Sequence, residues 1–175
     1  QLARGIDTRT VVADREAKSI SHETTFAEDV SDMEVLRAWL MELTEQVARR
    51  LRSHEIQGRT VHLKVRYSNF DTFTRSKSIS PATNATNQLW SVAQQLLTSE
   101  LPARPLVVRL LGMGVSNLQT KKPVQQCLFA EEPDGRDEKL DQVADSIRIR
   151  FGAASLRRAS TVQHNAEHKP LPRPD

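Results

Sequence analysis

Cationic and hydroxyl side chains alternate with apolar ones along residues 61–80, VHLKVRYSNFDTFTRSKSIS. Lys64 and Arg66 come first, and Arg75 and Lys77 follow after a short polar turn, interleaved with threonine and serine. Ammonium and guanidinium groups bind phosphate through charge, and hydroxyl groups add hydrogen bonds to its oxygens. A single acidic residue interrupts the stretch. The residue types therefore indicate a surface that binds a polyanion.

Catalysis is poorly supported by the rest of the sequence. Phosphoryl transfer on metal ions requires carboxylates gathered at strand ends, whereas the acidic residues here fall mainly on a predicted helix and in residues 119–138. The motif GMGVSN at 112–117 resembles a dinucleotide fingerprint, but it leads into a proline-containing segment rather than a helix. His164 and His168 have helical spacing and no third metal ligand nearby. We predict no catalytic residue, metal site or cofactor in this chain.

The cation-rich stretch has the two-residue alternation of a β-hairpin, with strands predicted near 60–68 and 73–80. The first strand would have an apolar face and a polar face. The apolar face would carry Val61, Leu63, Val65 and Tyr67, and the polar face His62, Lys64, Arg66 and Ser68. We expect the cations of both strands to share the polar, open face of a sheet.

A helix is predicted before the hairpin. Ser31 and Glu34 have the spacing of a capping box, in which their side chains bind the first free amides of a helix. An apolar stripe with helical spacing follows, formed by Met33, Leu36, Leu40, Leu43, Val47 and Leu51. Acidic residues near the start of the helix and arginines near its end interact favourably with the helix dipole.

Three more elements complete the predicted domain. Residues 17–26 alternate as in a strand, residues 87–99 have a helical apolar stripe, and residues 106–118 form an apolar strand. The order β-α-β-β-α-β predicts an α+β fold, with one four-stranded sheet and both helices on one of its faces. The opposite face of the sheet would be left uncovered.

At 175 residues, with 38% hydrophobic and 27% charged residues, the chain suits one soluble domain with extra segments. A single cysteine excludes an internal disulfide, and no apolar run approaches the roughly 20 residues of a membrane span. We therefore expect a cytoplasmic location and no membrane partner.

Charge is unevenly distributed along the chain. Residues 28–57 hold seven acidic residues and four arginines, whereas residues 60–118 hold six basic residues and two acidic ones. Such sorting is expected where a polyanion docks, and ordinary scatter of surface charge is the alternative.

The character of the sequence changes after residue 118. Residues 119–138 have mixed charge, proline and glycine, and predict a flexible linker. Within a C-terminal segment at 139–160, residues 139–150 predict a short amphipathic helix. Its apolar side is formed by Leu140, Val143, Ile147 and Phe151. Residues 161–175 are predicted to be disordered.

Three segments resemble, in the same order, signature segments of the little-finger domain of Y-family translesion DNA polymerases, in particular of the bacterial DNA polymerase IV branch. They are KSISHETTF at 18–26, VRYSNFDTFTRSKS at 65–78 and RLLGMGVSNL at 109–118. LARGIDTR at 2–9 resembles the junction between the family's thumb and little finger, and SIRIRFGAASLRRAS at 146–160 resembles the C-terminal end of some members. The resemblance implies a linker at 1–16 and a little finger at 17–118.

The resemblance implies that the open sheet lies in the major groove of primer–template duplex DNA and grips its backbone without reading bases. It assigns phosphate contacts to Ser19, Ser21, Thr74, Arg75, Ser76 and Lys77. Strand alternation adds Lys64 and Arg66, for which plain solvated positions are the alternative. The family's catalytic carboxylates and their Mg²⁺ belong to a palm domain outside these segments. We therefore expect this chain to be part of a longer polymerase, to act with its catalytic core and to be inactive alone.

The pentapeptide QQCLF at 125–129 resembles the segment by which bacterial polymerases dock on the sliding clamp. Gln125, Leu128 and Phe129 match its first, fourth and fifth positions, whereas Gln126 replaces the commoner leucine at the second. The resemblance implies the bacterial sliding clamp as a partner. The alternative is that Leu128 and Phe129 pack onto this chain's own sheet or its C-terminal helix.

Two other classes of protein are compatible with the predicted element order. A free-standing RNA-recognition module would carry aromatic residues on its third strand, where FTRSKSIS has only Phe73. A small ferredoxin-like enzyme would need a convergent acid, base or nucleophile cluster, which the sequence does not display, and a purely structural domain would need none. We expect a monomer that prefers duplex DNA to a single strand.

Overall fold

The computed structural model describes residues 4–5, 17–99, 107–120 and 136–162, and four strands with two long helices form the body of this part. The elements in chain order are β1 (Ser19–Val30), α1 (Met33–Ser53), β2 (Ile56–Tyr67), β3 (Thr72–Thr83), α2 (Thr86–Ser99), β4 (Val108–Thr120), α3 (Arg136–Phe151) and α4 (Ala159–Val162). The predicted β-α-β-β-α-β order and α+β class are confirmed.

The strands form one antiparallel sheet in the order β1-β4-β2-β3. β4 and β2 are central, and β1 and β3 lie at the two edges of the described sheet. α1 and α2 pack against the same side of the sheet, as predicted, and α3 contacts this helical layer. The other side of the sheet carries no helix within the described residues.

The strands have different ends from those predicted, because two irregular pairings extend them. β1 continues to Val30, since a register shift after Thr25 brings Val30 opposite Val108. β3 continues to Thr83, which lies opposite Gly58 beyond a second register shift. A two-residue alternation pattern breaks at such shifts and therefore predicts strands that are too short.

α1 begins at Met33, with Asp32 rather than Ser31 as its N-cap. The Asp32 carboxylate accepts a hydrogen bond from the backbone amide of Glu34 at 2.8 Å, and the Asp32 backbone carbonyl accepts one from the amide of Leu36. The predicted capping box of Ser31 and Glu34 is wrong. The Asp32 carboxylate takes the free amide, and Glu34 pairs instead with Arg37.

The hydrophobic core lies between the sheet and the two long helices. The side chains of Val61, Leu63 and Val65 on β2 are completely buried, as are Leu111 and Val115 on β4. The predicted α1 stripe is buried from its second member onward: Leu36, Leu40, Leu43, Val47 and Leu51. Each such aliphatic side chain stabilises the fold by about 1.5–3 kcal/mol, so this burial fixes which face of each strand turns inward.

The helix predicted at 139–150 is α3, and its charged side faces the domain. Asp141 and Asp145 bind the Arg52 guanidinium at 3.0 and 2.6 Å. Most of the apolar side is exposed: Leu140 is 57%, Val143 58% and Phe151 65% accessible, whereas Ile147 is half-buried. Ion pairs, and not the apolar stripe, therefore hold this helix against α1.

None of the described helices is long and apolar enough to cross a membrane. Several predicted segments fall wholly or mostly outside the described residues. They are the linker at 1–16, the linker at 119–138 with its pentapeptide at 125–129, and the tail at 161–175.

Candidate nucleic-acid interface

The sheet register sorts side chains between two faces. Directly paired residues of antiparallel strands project to the same side, so the buried pair Leu63 and Met113 marks the helix side. We call the opposite side the open face. Its paired rows across β1, β4, β2 and β3 are Ser19–Ser116–Thr60–Ser78, Ser21–Gly114–His62–Ser76, Glu23–Gly112–Lys64–Thr74 and Thr25–Leu110–Arg66–Thr72.

Six of the eight predicted phosphate contacts lie in these rows. They are Ser19, Ser21, Lys64, Arg66, Thr74 and Ser76. Their hydroxyl and cationic groups share one surface, as strand alternation predicts. That these groups touch phosphate stays a prediction.

Arg75 and Lys77 do not lie on the open face. They pair with Leu63 and Val61, whose side chains are in the core, so they project to the helix side at the outer edge of β3. Lys77 Nζ donates a hydrogen bond to the Gln95 side chain of α2 at 2.8 Å. The prediction that the cations of both hairpin strands share the open face is right for β2 and wrong for β3.

The reason for this misplacement is the parity of the strand. Phe73 and Ile79 are partly buried against the core, and they occupy the same alternate positions of β3 as Arg75 and Lys77. The Arg75 guanidinium lies 5.7 Å from the centre of the Phe73 ring. The positions of Phe73 and Ile79 in the sequence therefore predict that Arg75 and Lys77 lie on the rim of the sheet.

Hydrogen bonds between strands hold several polar groups of the open face in place. Arg66 Nε donates to Thr72 Oγ1 at 2.9 Å. His62 Nε2 lies 2.6 Å from Ser116 Oγ. Groups that are ordered before binding lose less conformational entropy when they meet a ligand.

An ion pair that the sequence did not reveal crosses the open face. Lys64 Nζ lies 2.8 Å from Glu23 Oε2, and the two residues belong to β2 and β1, on either side of β4. The β4 residue between them is Gly112. Glu23 occupies the same alternate positions of β1 as Ser19 and Ser21, so its place on the open face could have been predicted from the sequence.

Two glycines of β4 lie in the middle of the open face. A Cβ atom at Gly112 would lie 3.0 Å from the Glu23 Cβ, and one at Gly114 would lie 2.9 Å from the Ser21 Cβ. Both positions border a depression of about 540 Å³. Its polar lining includes Lys18, Ser19, Ser21, His62, Lys64 and Thr74. The two glycines therefore leave room for the flanking Glu23 and Ser21 side chains, and this part of β4 is buried beneath its neighbours.

Aromatic rings are turned away from this surface. Across the paired rows of the described sheet, no Phe, Tyr or Trp projects from the open face. Tyr67 and Phe73 contact each other at the helix side, with ring centres 5.7 Å apart. Phe70, in the turn between β2 and β3, is 65% exposed beside the Arg109 guanidinium. The face thus offers charge and hydroxyl groups but no platform for base stacking.

Among the described residues, no group of three or more His, Cys, Asp or Glu side chains could hold a metal ion. His164 and His168, which have helical spacing in the sequence, lie outside the described residues.

A family model described as the impB/mucB/samB family C-terminal domain matches residues 17–128, which include all four strands. The chain belongs to this family.

Curated relatives are named DNA polymerase IV. The chain is 38% identical over 169 residues to the protein of Desulfatibacillum aliphaticivorans, covering 95% of this chain and 42% of the relative. It is 35% identical over 156 residues to that of Caulobacter vibrioides, covering 89% and 38%. The chain thus spans about two fifths of the length of these relatives. The resemblance to the C-terminal, little-finger part of bacterial DNA polymerase IV is confirmed.

Solved structures share the fold. A Y-family DNA polymerase chimera superposes with a TM-score of 0.55 at 17% identity, covering 68% of this chain and 33% of that chain. DinB from Sulfolobus solfataricus gives a TM-score of 0.51 at 14% identity, covering 58% and 29%.

Proposed function

We propose that this chain is the DNA-gripping part of an error-prone translesion polymerase, and that its open face holds the backbone of primer–template duplex DNA in the major groove. One observation carries the proposal. The sheet register gathers Lys64 and Arg66 with rows of serine and threonine hydroxyls on the side that has no helix among the described residues. These groups bind phosphate oxygens, and phosphate contacts position a protein without conveying base sequence.

Two features favour backbone contact over base reading. Direct readout in the major groove needs side chains such as arginine or asparagine that are aimed at base edges. On the open face the long cationic side chains are engaged laterally, Lys64 with Glu23 and Arg66 with Thr72. In the middle of the face, Gly112 and Gly114 of β4 also present no side chain that could be aimed at a base edge.

The rim cations extend the same interface. Arg75 and Lys77 lie along β3, which is an edge strand, and they follow its polar neighbours Thr74 and Ser76. From the rim they would reach the phosphates of a DNA strand that passes along this edge. Ser19 and Ser21 on β1 would serve the opposite border of the face.

The test is a comparison of two DNA ligands. A primer–template duplex and a single strand of equal length are titrated against the chain at the same salt concentration. Binding to the backbone of a duplex predicts tighter association with the duplex. A preference of about tenfold or more for the single strand would contradict this use of the face, because it would require base stacking.

We also propose that residues 125–129, QQCLF, dock on the bacterial sliding clamp. The support is the sequence match at Gln125, Leu128 and Phe129, just after the last strand of the domain. An extended peptide can insert leucine and phenylalanine into an apolar cleft while glutamine makes amide hydrogen bonds at its edge. Each buried side chain contributes roughly 1.5–3 kcal/mol before ordering costs. An affinity near micromolar, about −8 kcal/mol, is therefore expected.

The double variant Leu128→Ala, Phe129→Ala tests clamp docking. It should abolish binding to the bacterial sliding clamp while leaving the thermal midpoint and the duplex affinity unchanged. A midpoint lowered by several degrees would instead show that the two side chains pack into this chain's own fold.

The longer relatives suggest the setting of this domain. We propose that it acts in DNA damage tolerance in the cytoplasm, beside a catalytic core that carries the metal-binding carboxylates and their Mg²⁺. The support is that the chain corresponds to about two fifths of proteins named DNA polymerase IV. A protein that joins this chain to such a core should extend primers past template damage, and failure to do so would contradict this setting.

A further inference from the structure

Glu23 is the one acidic side chain in the paired rows of the described open face. Its carboxylate is 2.8 Å from Lys64 Nζ, and both side chains are substantially exposed, Glu23 at 52% and Lys64 at 36%. A cation that would bind phosphate is therefore already occupied by an internal anion.

The contact is built into the sheet. Glu23 and Lys64 lie in one row, on the two strands that flank Gly112 of β4. A Cβ atom at Gly112 would stand 3.0 Å from the Glu23 Cβ and 3.5 Å from the Lys64 Cβ. Because Gly112 has no side chain, the Glu23 carboxylate and the Lys64 ammonium can contact each other across β4.

We propose that Glu23 limits the affinity of the open face for DNA by competing with duplex phosphate for Lys64. The inference rests on the proposed function and adds a role to a residue outside the predicted contacts. An exposed ion pair is weak, so phosphate can displace the carboxylate. The displaced carboxylate then stays on the face and repels the backbone. Phosphates therefore leave readily, which suits a duplex that must advance along the domain.

A purely structural pair is the competing interpretation. In that case Glu23 and Lys64 would link β1 to β2 across β4, and removing the carboxylate would lower stability without tightening DNA binding. Measurements of affinity and of thermal midpoint on the same variants separate the two roles.

The decisive variant is Glu23→Gln, which keeps the shape and removes the charge. We expect it to bind a primer–template duplex about three- to tenfold more tightly at roughly 100 mM salt. The plot of log affinity against log salt should become steeper by about one unit, because Lys64 becomes available to displace a counterion. Equal or weaker binding by Glu23→Gln would overturn the inference.

Glu42→Gln is the matched control, since it removes the same charge from α1 on the other side of the sheet. It should change the duplex affinity by less than about twofold, because the charge lies far from the face and is screened by salt. An equal gain from both variants would show a general effect of net charge and would also overturn the inference.

A double-variant cycle tests the competition itself. In a Lys64→Met background, Glu23→Gln should improve binding by a clearly smaller factor, since no ammonium is released. The same factor in both backgrounds would overturn competition for Lys64. A wild-type chain that does not bind the duplex at all would overturn the proposed function and this inference with it. Duplex binding that Glu23→Gln does not tighten would overturn the inference alone.

Discussion

Arg66 and Arg75 place a guanidinium group on the open face and on its rim, respectively. If the interface neutralises about four to six phosphates, log affinity should fall against log salt with a slope near −4 to −5 for duplex DNA. Arg66→Gln and Arg75→Gln should each make this slope shallower by about one unit and weaken all duplex sequences alike. Titrations of two unrelated duplexes at several salt concentrations measure both quantities.

Arg150→Gln is the control for these variants, since Arg150 is exposed on α3 and lies beside Phe151. It should leave the slope unchanged. If Arg66→Gln or Arg75→Gln lost affinity for only one of the two sequences, the residue would be reading bases, which contradicts binding through the backbone alone.

Gly58 is required by close packing between the central strands. A Cβ atom there would stand 2.2 Å from Val115 Cγ1, whose side chain is completely buried, and 3.1 Å from the Ser116 carbonyl oxygen. Gly58→Ala should therefore reduce the free energy of unfolding by about 1–3 kcal/mol, as overpacking does. Denaturant titration measures the loss. An unchanged midpoint would show that β2 and β4 move apart enough at this point to accommodate the methyl group without loss of stability.

At the scale of elements, a charged cluster around Arg52 ties α3 to α1, and Arg148 of α3 adds a second ion pair with Glu45. The Arg52 guanidinium binds Asp141 and Asp145 and also donates to the Asn84 carbonyl at 2.9 Å. The side chains of Arg52, Asp141 and Asp145 are only 13%, 11% and 16% exposed. Removing the cation would leave two poorly solvated carboxylates side by side, which is strongly destabilising for the docked state.

Arg52→Met should therefore loosen the docking of α3 while the sheet and its two long helices stay folded. Hydrogen exchange read by mass spectrometry should show faster exchange across residues 136–151 and little change in β2 and β4. Arg50→Met is the control, because the exposed Arg50 donates to the Ser21 carbonyl and not to α3. Unchanged protection of residues 136–151 in Arg52→Met would contradict docking by this cluster.

Local patterns predicted the elements and the β2–β3 hairpin well, but they did not predict the register shifts of the strands or the docking of α3. The α1 stripe and the alternation of β2 follow from periods of 3.6 and 2 residues, and both agree with the structure. Register shifts lengthen β1 and β3, and no local pattern encodes them. The pairing of Arg52 with Asp141 joins residues 89 positions apart. Such a contact has no periodic signature, so the docking of α3 could not be predicted.

The candidate site was predictable to the extent that strand parity was read correctly. Lys64 and Arg66 alternate with core residues of β2, so their face followed directly from the sequence. Arg75 and Lys77 occupy the same alternate positions of β3 as Phe73, so they share its face of the sheet. The prediction that placed them on the open face with Thr74 and Ser76 was therefore wrong. The role of Gly112 required the strand order, which places it between Glu23 and Lys64.

On the scale of the whole molecule, a second basic surface lies on the helical side of the described part. The open face carries Lys64 and Arg66, while the C-terminal end of α1 carries Arg49 and Arg50 beside a groove of about 810 Å³. That groove is also lined by acidic residues of α3, including Glu138 and Asp145. Its mixed charge makes it a weaker site for a polyanion than the open face, where Glu23 is the one acid in the described rows.

The most direct test of DNA binding on the open face is an amide NMR titration of the chain with a primer–template duplex. Binding there predicts that the amides of Gly112, Gly114, Thr74 and Ser76 shift progressively, because they lie on the central and edge strands of that face. The amides of Arg49 and Arg50 on α1 should remain in place. Shifts confined to α1 and α3, with the two glycine signals unmoved, would contradict open-face binding and assign DNA binding to the helical side.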